Sequence, residues 1–205
     1  MKTVLRTGLL IGLLTATGVA NADWSVNAGF ASEYHYRGIF QKSSSASAGL
    51  DYESGGFYAG TWAADVGDGM EVDGYFGYGT EVGDVGLSIG FTGYYYTGDF
   101  DDTYQEINLG AGFGDLSFDV AIGEYDNFDG PTQDYTYYSL TYEKNGFYGK
   151  YAGFEQDAEG EYFEFGYGAT VAEIDLGVSL ILANDDLVGD AEESVVFTIG
   201  KAFDL

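Results

Sequence analysis

Apolar and polar residues alternate along most of this chain with a period of two, the pattern of strands whose two faces meet different surroundings. The clearest stretch sets Val85, Leu87, Ile89 and Phe91 against Gly86, Ser88, Gly90 and Thr92. A second sets Ile107, Leu109, Ala111 and Phe113 against Glu106, Asn108, Gly110 and Gly112, and Gly114-Asp115 turns it into Leu116, Phe118, Val120 and Ile122. Read from Trp24 onward, the pattern predicts twelve strands, the first over 24–36, the second over 46–53, the third over 57–66 and the fourth over 71–80. Ser54-Gly55-Gly56, Val82-Gly83-Asp84 and Lys144-Asn145-Gly146 mark tight turns, and Asn-Gly is a strong signal for a two-residue hairpin. Every short turn follows an even strand, and longer connections, including one over 37–45, follow the odd ones.

That asymmetry predicts a fold class: all-β, a single antiparallel transmembrane β-barrel of about twelve strands over residues 23–205, with short periplasmic turns and longer acidic extracellular loops. A soluble sandwich or lipocalin-like barrel also alternates, but it hides its apolar face. Here the polar face is built from Gly, Ser, Thr and Asn with scattered acids, which suits a narrow lumen, and the other face is a nearly unbroken apolar band. Trp24, Tyr52, Tyr58, Phe113, Tyr142, Phe147 and Phe203 are expected to form two interfacial girdles. Val195, Phe197, Ile199, Phe203 and Leu205 give an amphipathic last strand flush with the end of the sequence, similar to the C-terminal assembly signal of outer-membrane proteins, with Lys201 interrupting the same face.

Residues 1–22 predict a cleaved signal peptide: Lys2 and Arg6, an apolar stretch from Leu9 to Ala20, then Ala20-Asn21-Ala22 before Asp23. A retained anchor is the alternative, but the run is shorter than the roughly 20 apolar residues a spanning helix needs. The remainder has no cysteine and a single proline, so no disulfide staples it. All 34 acids lie after residue 22 and two of the seven basic residues before it, leaving five basic against 34 acidic, a net −29. Nucleic acid is excluded as a partner, and small cations or basic solutes are favoured. A salt-adapted host is a second source of such acidity.

Tyr52-Glu53-Ser54-Gly55-Gly56-Phe57-Tyr58 echoes Tyr142-Glu143-Lys144-Asn145-Gly146-Phe147-Tyr148, and Phe76-Gly77-Tyr78-Gly79 recurs as Phe165-Gly166-Tyr167-Gly168. Duplication of a six-strand half and generic hairpin composition both account for this.

Signals for chemistry are weak. The single histidine, His35, shares strand parity with Glu33 and Arg37, so all three are expected to face inward, within reach of a serine from Ser43 to Ser45; no nucleophile motif accompanies them. No catalytic residue, metal ligand or cofactor is assigned. Asp99, Asp101 and Asp102, and Asp126, Asp129 and Asp134, read as an acidic rim bridged through divalent cations to lipopolysaccharide. By parity the pore-lining candidates are Arg37, Asp51, Glu71, Asp73, Glu106, Asp119, Glu164 and Asp175, with Lys150 a second basic residue among them.

The segment Ser32-Glu33-Tyr34-His35-Tyr36-Arg37-Gly38-Ile39-Phe40-Gln41 resembles the early tyrosine-arginine-glycine segment of the TorF-type porins of proteobacteria. Gly56-Phe57-Tyr58-Ala59-Gly60-Thr61-Trp62-Ala63, Glu71-Val72-Asp73 and Gly93-Tyr94-Tyr95-Tyr96 continue the likeness, with Thr97-Gly98 where that family often has proline. The resemblance implies an outer-membrane barrel. Together these readings lead to the expectation of a non-enzymatic outer-membrane channel for passive diffusion of small solutes, cation-preferring, with membrane lipid, lipopolysaccharide and the outer-membrane assembly machinery as partners. A barrel plugged by its own side chains, with a binding or structural role, is the alternative.

Overall fold

The computed structural model describes residues 23–205; the expected signal segment, 1–22, lies outside them. Twelve strands form one closed antiparallel barrel: β1 (Asp23–Tyr36), β2 (Ile39–Ser54), β3 (Phe57–Gly67), β4 (Gly69–Val82), β5 (Val85–Tyr96), β6 (Tyr104–Phe113), β7 (Leu116–Tyr125), β8 (Gln133–Lys144), β9 (Phe147–Gln156), β10 (Gly160–Val171), β11 (Ile174–Ala183) and β12 (Glu192–Asp204). A four-residue helix, α1 (Asp185–Val188), lies between β11 and β12. Each strand pairs with its sequence neighbours, and β12 pairs with β1 to close the ring.

The apolar parity faces out. Phe76, Ile89, Ile107, Phe118, Ile122, Phe197 and Ile199 are all about half exposed, whereas their neighbours on the other parity turn inward. From Val85 to Tyr95 the outward side of β5 spans ten rises of about 3.3 Å, which at a tilt of about 40° gives an apolar band about 25 Å tall, the height a lipid core requires. No helix among the described residues is long and apolar enough to cross a membrane. If the strands take that role, Ile89→Arg, at mid-band, is expected to lower unfolding stability in lipid by about 2–4 kcal/mol. Urea titration of bilayer-folded protein would read this, against near-neutral effects for arginine placed at the band's edge.

Two ends differ. At one, all five connections have two residues: Gly55-Gly56, Gly83-Asp84, Gly114-Asp115, Asn145-Gly146 and Ala172-Glu173. In three of them both central residues have positive φ, the backbone that matches strand twist across a two-residue hairpin. Ala172 and Glu173 adopt it at φ 52° and 65° without glycine's freedom. The described termini lie at this end too, where the Leu205 amide donates to the Trp24 carbonyl at 2.9 Å.

At the other end β5–β6, β7–β8, β9–β10 and β11–β12 are joined by longer loops, but β1–β2 and β3–β4 are not. The expected loop over 37–45 is instead a continuation of β2, and Arg37-Gly38 alone makes the turn, at φ 50° and 85°. The girdle expectation also changes. Trp24, Tyr52, Phe113, Tyr142, Phe147 and Phe203 all lie at the tight-turn end, and Tyr58 turns inward, its ring lying over Gly77 and Gly90. The second outward aromatic set, towards the loops, is Tyr95, Tyr138, Tyr151 and Phe163. Lys201 faces out with Phe203, and its ammonium reaches Glu173 at 3.0 Å in the turn beneath.

The internal echo has a geometric counterpart. Gly79 donates to the Gly56 carbonyl at 2.8 Å, and Gly168 donates to that of Gly146 at 2.9 Å. Tyr58 covers Gly77 as Tyr148 covers Gly166. The hairpins β2–β3–β4 and β8–β9–β10 thus repeat one arrangement six strands apart.

Candidate functional site

The β1–β2 hairpin leaves the wall. Pairing of β1 with β12 ends at Ala31, and pairing of β2 with β3 ends at Ser47; beyond these the two strands pair only with each other. Side chains satisfy the wall edges left behind: Ser45 Oγ donates to the Asp65 carbonyl at 2.7 Å, Lys42 pairs with the Asp65 carboxylate, and the Phe197 amide donates to Ser32 Oγ at 2.8 Å. Ser32 and Ser44 drop out of the pairing, Ser44 takes φ 57°, and parity reverses there. Tyr34 and Tyr36 therefore point in. Glu33 and His35, expected inward, lie on the other face, where His35 Nε2 meets Glu33 at 3.1 Å and its ring packs edge-on against Phe40. No serine is bonded to His35: its Nδ1 is buried without a partner, and Ser45 is engaged elsewhere.

The tip crosses the lumen. Arg37 makes a two-pronged contact with Glu106 of β6, Nη1 to Oε2 at 2.9 Å and Nη2 to Oε1 at 2.7 Å. Tyr94, Tyr135 and Asn108 also donate to Glu106, at 2.9, 2.8 and 2.7 Å, so a carboxylate only 2% exposed accepts five bonds. The guanidinium carbon lies 4.1 Å from the Tyr137 ring centre and 5.0 Å from that of Tyr36. Gly38 is required at the tip, because a Cβ there would sit 2.7 Å from the Tyr162 ring and its φ is positive. An ion pair out of water is stable only when its remaining donors and acceptors are satisfied, which is the role of these tyrosines.

A second group holds the near side of the hairpin. Glu71 of β4, fully buried, accepts from Tyr34 and, at 2.8 Å, from Tyr96. Tyr34 packs on Trp62, with ring centres 5.8 Å apart, and Asp73 is buried nearby with Oδ1 unpartnered. The other candidates are spread along the inner wall. Asp51 accepts from Tyr75 and, at 3.1 Å, from Asn27; Glu164 accepts from Tyr148 at 2.5 Å and faces Lys150 at 3.6 Å. Asp119 stands beside Lys150 and Ser139, and Asp175 accepts from Thr170 at 2.5 Å near the tight turns. The fold joins Arg37 with Glu106, sets Asp73 beside Glu71, and gathers Asp119 and Glu164 about Lys150.

Sequence reasoning passed over the tyrosines. Tyr34, Tyr36, Tyr94, Tyr96, Tyr104, Tyr135, Tyr137 and Tyr162 build the whole constriction, and most could have been noticed as large aromatics on the polar parity of their strands. The acidic loops fix backbone: Asp102 accepts from the Phe128 amide at 2.6 Å and Asp157 from the Asp134 amide at 2.9 Å. Among the described residues no group of three or more His, Cys, Asp or Glu side chains is placed to hold a metal ion.

Between the hairpin and the loops lies a cavity of about 380 Å³, open at the loop end. Tyr36, Ile39 and Gln41 form one side, and side chains of β5 to β9 with loop residues and α1 form the other.

A family model described as "bacterial protein of unknown function (Gcw_chp)" matches residues 15–186. Among solved structures the barrel is similar to the KdgM porin, with 8% identity over 87% of this chain and 98% of that one and a TM-score of 0.59. It is similar also to the NanC porin in a rhombohedral crystal form, with 12% identity over 87% and 98% and a TM-score of 0.51. Likeness at that identity is a likeness of fold. No curated protein matches the sequence.

Proposed function

We propose that this chain, which belongs to the Gcw_chp family of bacterial proteins of unknown function, is an outer-membrane channel for small solutes that favours cations and narrows at Arg37–Glu106. The observation that carries the reading is a closed sheet with its apolar residues outside and its carboxylates within. Such a sheet satisfies every backbone group internally and can rest in lipid, while Asp51, Glu71, Asp73, Glu106 and Glu164 give the interior a negative potential. The porin-like fold of the structural neighbours and the resemblance to TorF-type porins support the same class. The tight turns and both ends of the described chain would then face the periplasm, and the acidic loops would meet lipopolysaccharide.

The test is a planar bilayer under a salt gradient. The reversal potential should report cation preference, and Glu71→Gln with Asp73→Asn and Glu106→Gln should move it toward neutrality or beyond, since Arg37 is left without its counter-charge. Neutralising the exposed Asp99, Asp126 and Asp129 should move it much less, because salt screens them over about 10 Å. A larger effect from the loop set, or no current from folded, heat-modifiable protein, would overturn the reading. The second outcome favours a permanently closed barrel, for which the hairpin tip reaching across to β6 is the specific support.

A further inference from the structure

We infer that the cavity above the constriction is a binding vestibule for a small organic cation, an alkylammonium or a guanidinium. Its wall is aromatic and continuous. Tyr104 stacks on Tyr125 with ring centres 4.3 Å apart, meets Tyr135 edge-on at 6.1 Å and Tyr36 at 6.5 Å, and Tyr135 in turn meets Phe154 at 6.1 Å. Three of the hydroxyls on this wall are already committed, and that of Tyr36 is buried without a partner. Tyr104 and Tyr125 donate to the Asp101 carboxylate at 3.0 and 2.8 Å, and Tyr135 donates to Glu106. The rings are thereby pinned, and each of these three phenols donates toward a carboxylate instead of toward the cavity. What the cavity receives from them is ring surface, whose quadrupole attracts cations.

Charge points the same way. Asp101, Asp134, Glu159 and Asp186 line the cavity, no Lys, Arg or His does, and the nearest basic group below, Arg37, is spent on Glu106. The chain itself supplies the chemical precedent: its own guanidinium lies over the rings of Tyr36 and Tyr137 beside a carboxylate, directly beneath the vestibule floor. Tyr36 belongs to both, contacting Arg37 and facing the cavity. A bare divalent ion is a poor fit, since aromatic carbon supplies no oxygen ligands and the four carboxylates come from separate elements, the β5–β6 loop, β8, the β9–β10 loop and α1. A neutral sugar is a poor fit too, because the hydroxyls of Tyr96, Tyr104, Tyr125 and Tyr135 are taken by carboxylates, leaving a single phenol, Tyr36, to hold it. The volume, about 380 Å³, suits a solute of a few to a dozen heavy atoms. This deepens the channel reading by naming the class of solute; it rests on that reading for the solute's passage, though not for its binding.

Calorimetry on detergent-folded full-length protein tests it, with choline as the probe, its uncharged tert-butyl analogue as the matched control, and guanidinium and calcium chloride alongside. Choline and guanidinium should bind in the millimolar range or tighter, and the neutral analogue at least about tenfold more weakly. The exposed triple variant Asp134→Asn, Glu159→Gln, Asp186→Asn leaves the barrel's pairing untouched and should weaken choline several-fold at low salt. Tyr104→Leu should weaken it at every salt concentration. Equal affinity for choline and its neutral analogue, calcium binding in preference to choline, or full choline affinity in a folded Tyr104→Leu protein would each overturn the inference. Choline binding without any bilayer current would uphold the vestibule while sinking the channel; current without choline binding would do the reverse.

Discussion

Replacing Arg37 by alanine is expected to raise single-channel conductance several-fold. The guanidinium is the side chain that reaches across the lumen, and its loss leaves the hairpin tip held by Gly38 against Tyr162, by Tyr36 against Tyr94 and Tyr104, and by the Tyr34–Glu71 contact behind it. The same change strands Glu106 in a buried setting. Breaking one side of such a pair costs roughly 3–5 kcal/mol, and the low end applies here because Tyr94, Tyr135 and Asn108 still donate to the carboxylate. The double variant Arg37→Ala with Glu106→Gln should therefore recover most of the stability while keeping the raised conductance. Denaturant titration read by heat-modifiable gel mobility gives the stabilities, and bilayer recording gives the currents. An unchanged conductance in folded Arg37→Ala protein would mean that the narrowest point lies elsewhere.

Deleting Ala202 to Leu205 is expected to abolish assembly of folded protein. These residues do more than end a strand: Ala202, Phe203 and Asp204 pair with Asn27, Val26 and Ser25, and the Leu205 amide reaches the Trp24 carbonyl, so they complete the seam between the first and last strands. Without them β1 presents unpaired backbone where the band meets lipid, and each unsatisfied group there costs several kcal/mol. An insertion at Asp129, exposed in a loop with no pairing to lose, should leave surface display intact. Fractionation with surface proteolysis compares the two, and equal display of the truncation would remove the seam as the reason.

How much of this was legible follows from what parity can express. Where one face turns outward and is apolar throughout, as at Val85-Leu87-Ile89-Phe91, alternation is enforced at every second residue, and strand, face and even the two-residue turn at Gly83 are readable. Ser43 to Ser45 carry no such imprint, because the hairpin they belong to has left the wall and touches lipid on neither side of its tip. Arginine is an ordinary residue, so Arg37-Gly38 did not announce a turn. The irregularity is local, Ser32 and Ser44 dropping out of the pairing with a positive φ at Ser44, and beyond it Glu33 and His35 lie on the other face. Arg37 and Glu106 are 69 residues apart and meet only because the ring closes. The segments quoted for the TorF-type resemblance nonetheless converge on this place: Tyr34, Tyr36, Arg37, Trp62, Glu71, Tyr94 and Tyr96 all belong to the hairpin's contacts.

The placement of the two tryptophans gives the barrel a pair of built-in optical reporters. Trp24 sits on the outer surface at the closure seam, stacked near Tyr52 and half exposed, whereas Trp62 is buried inside against Tyr34 at the root of the inward hairpin. Brominated acyl chains should quench the first and spare the second, so emission from Trp24 follows insertion and seam closure, and emission from Trp62 follows the seating of the hairpin. With one silenced by phenylalanine, the other separates the moment the cylinder forms from the moment its interior is stoppered.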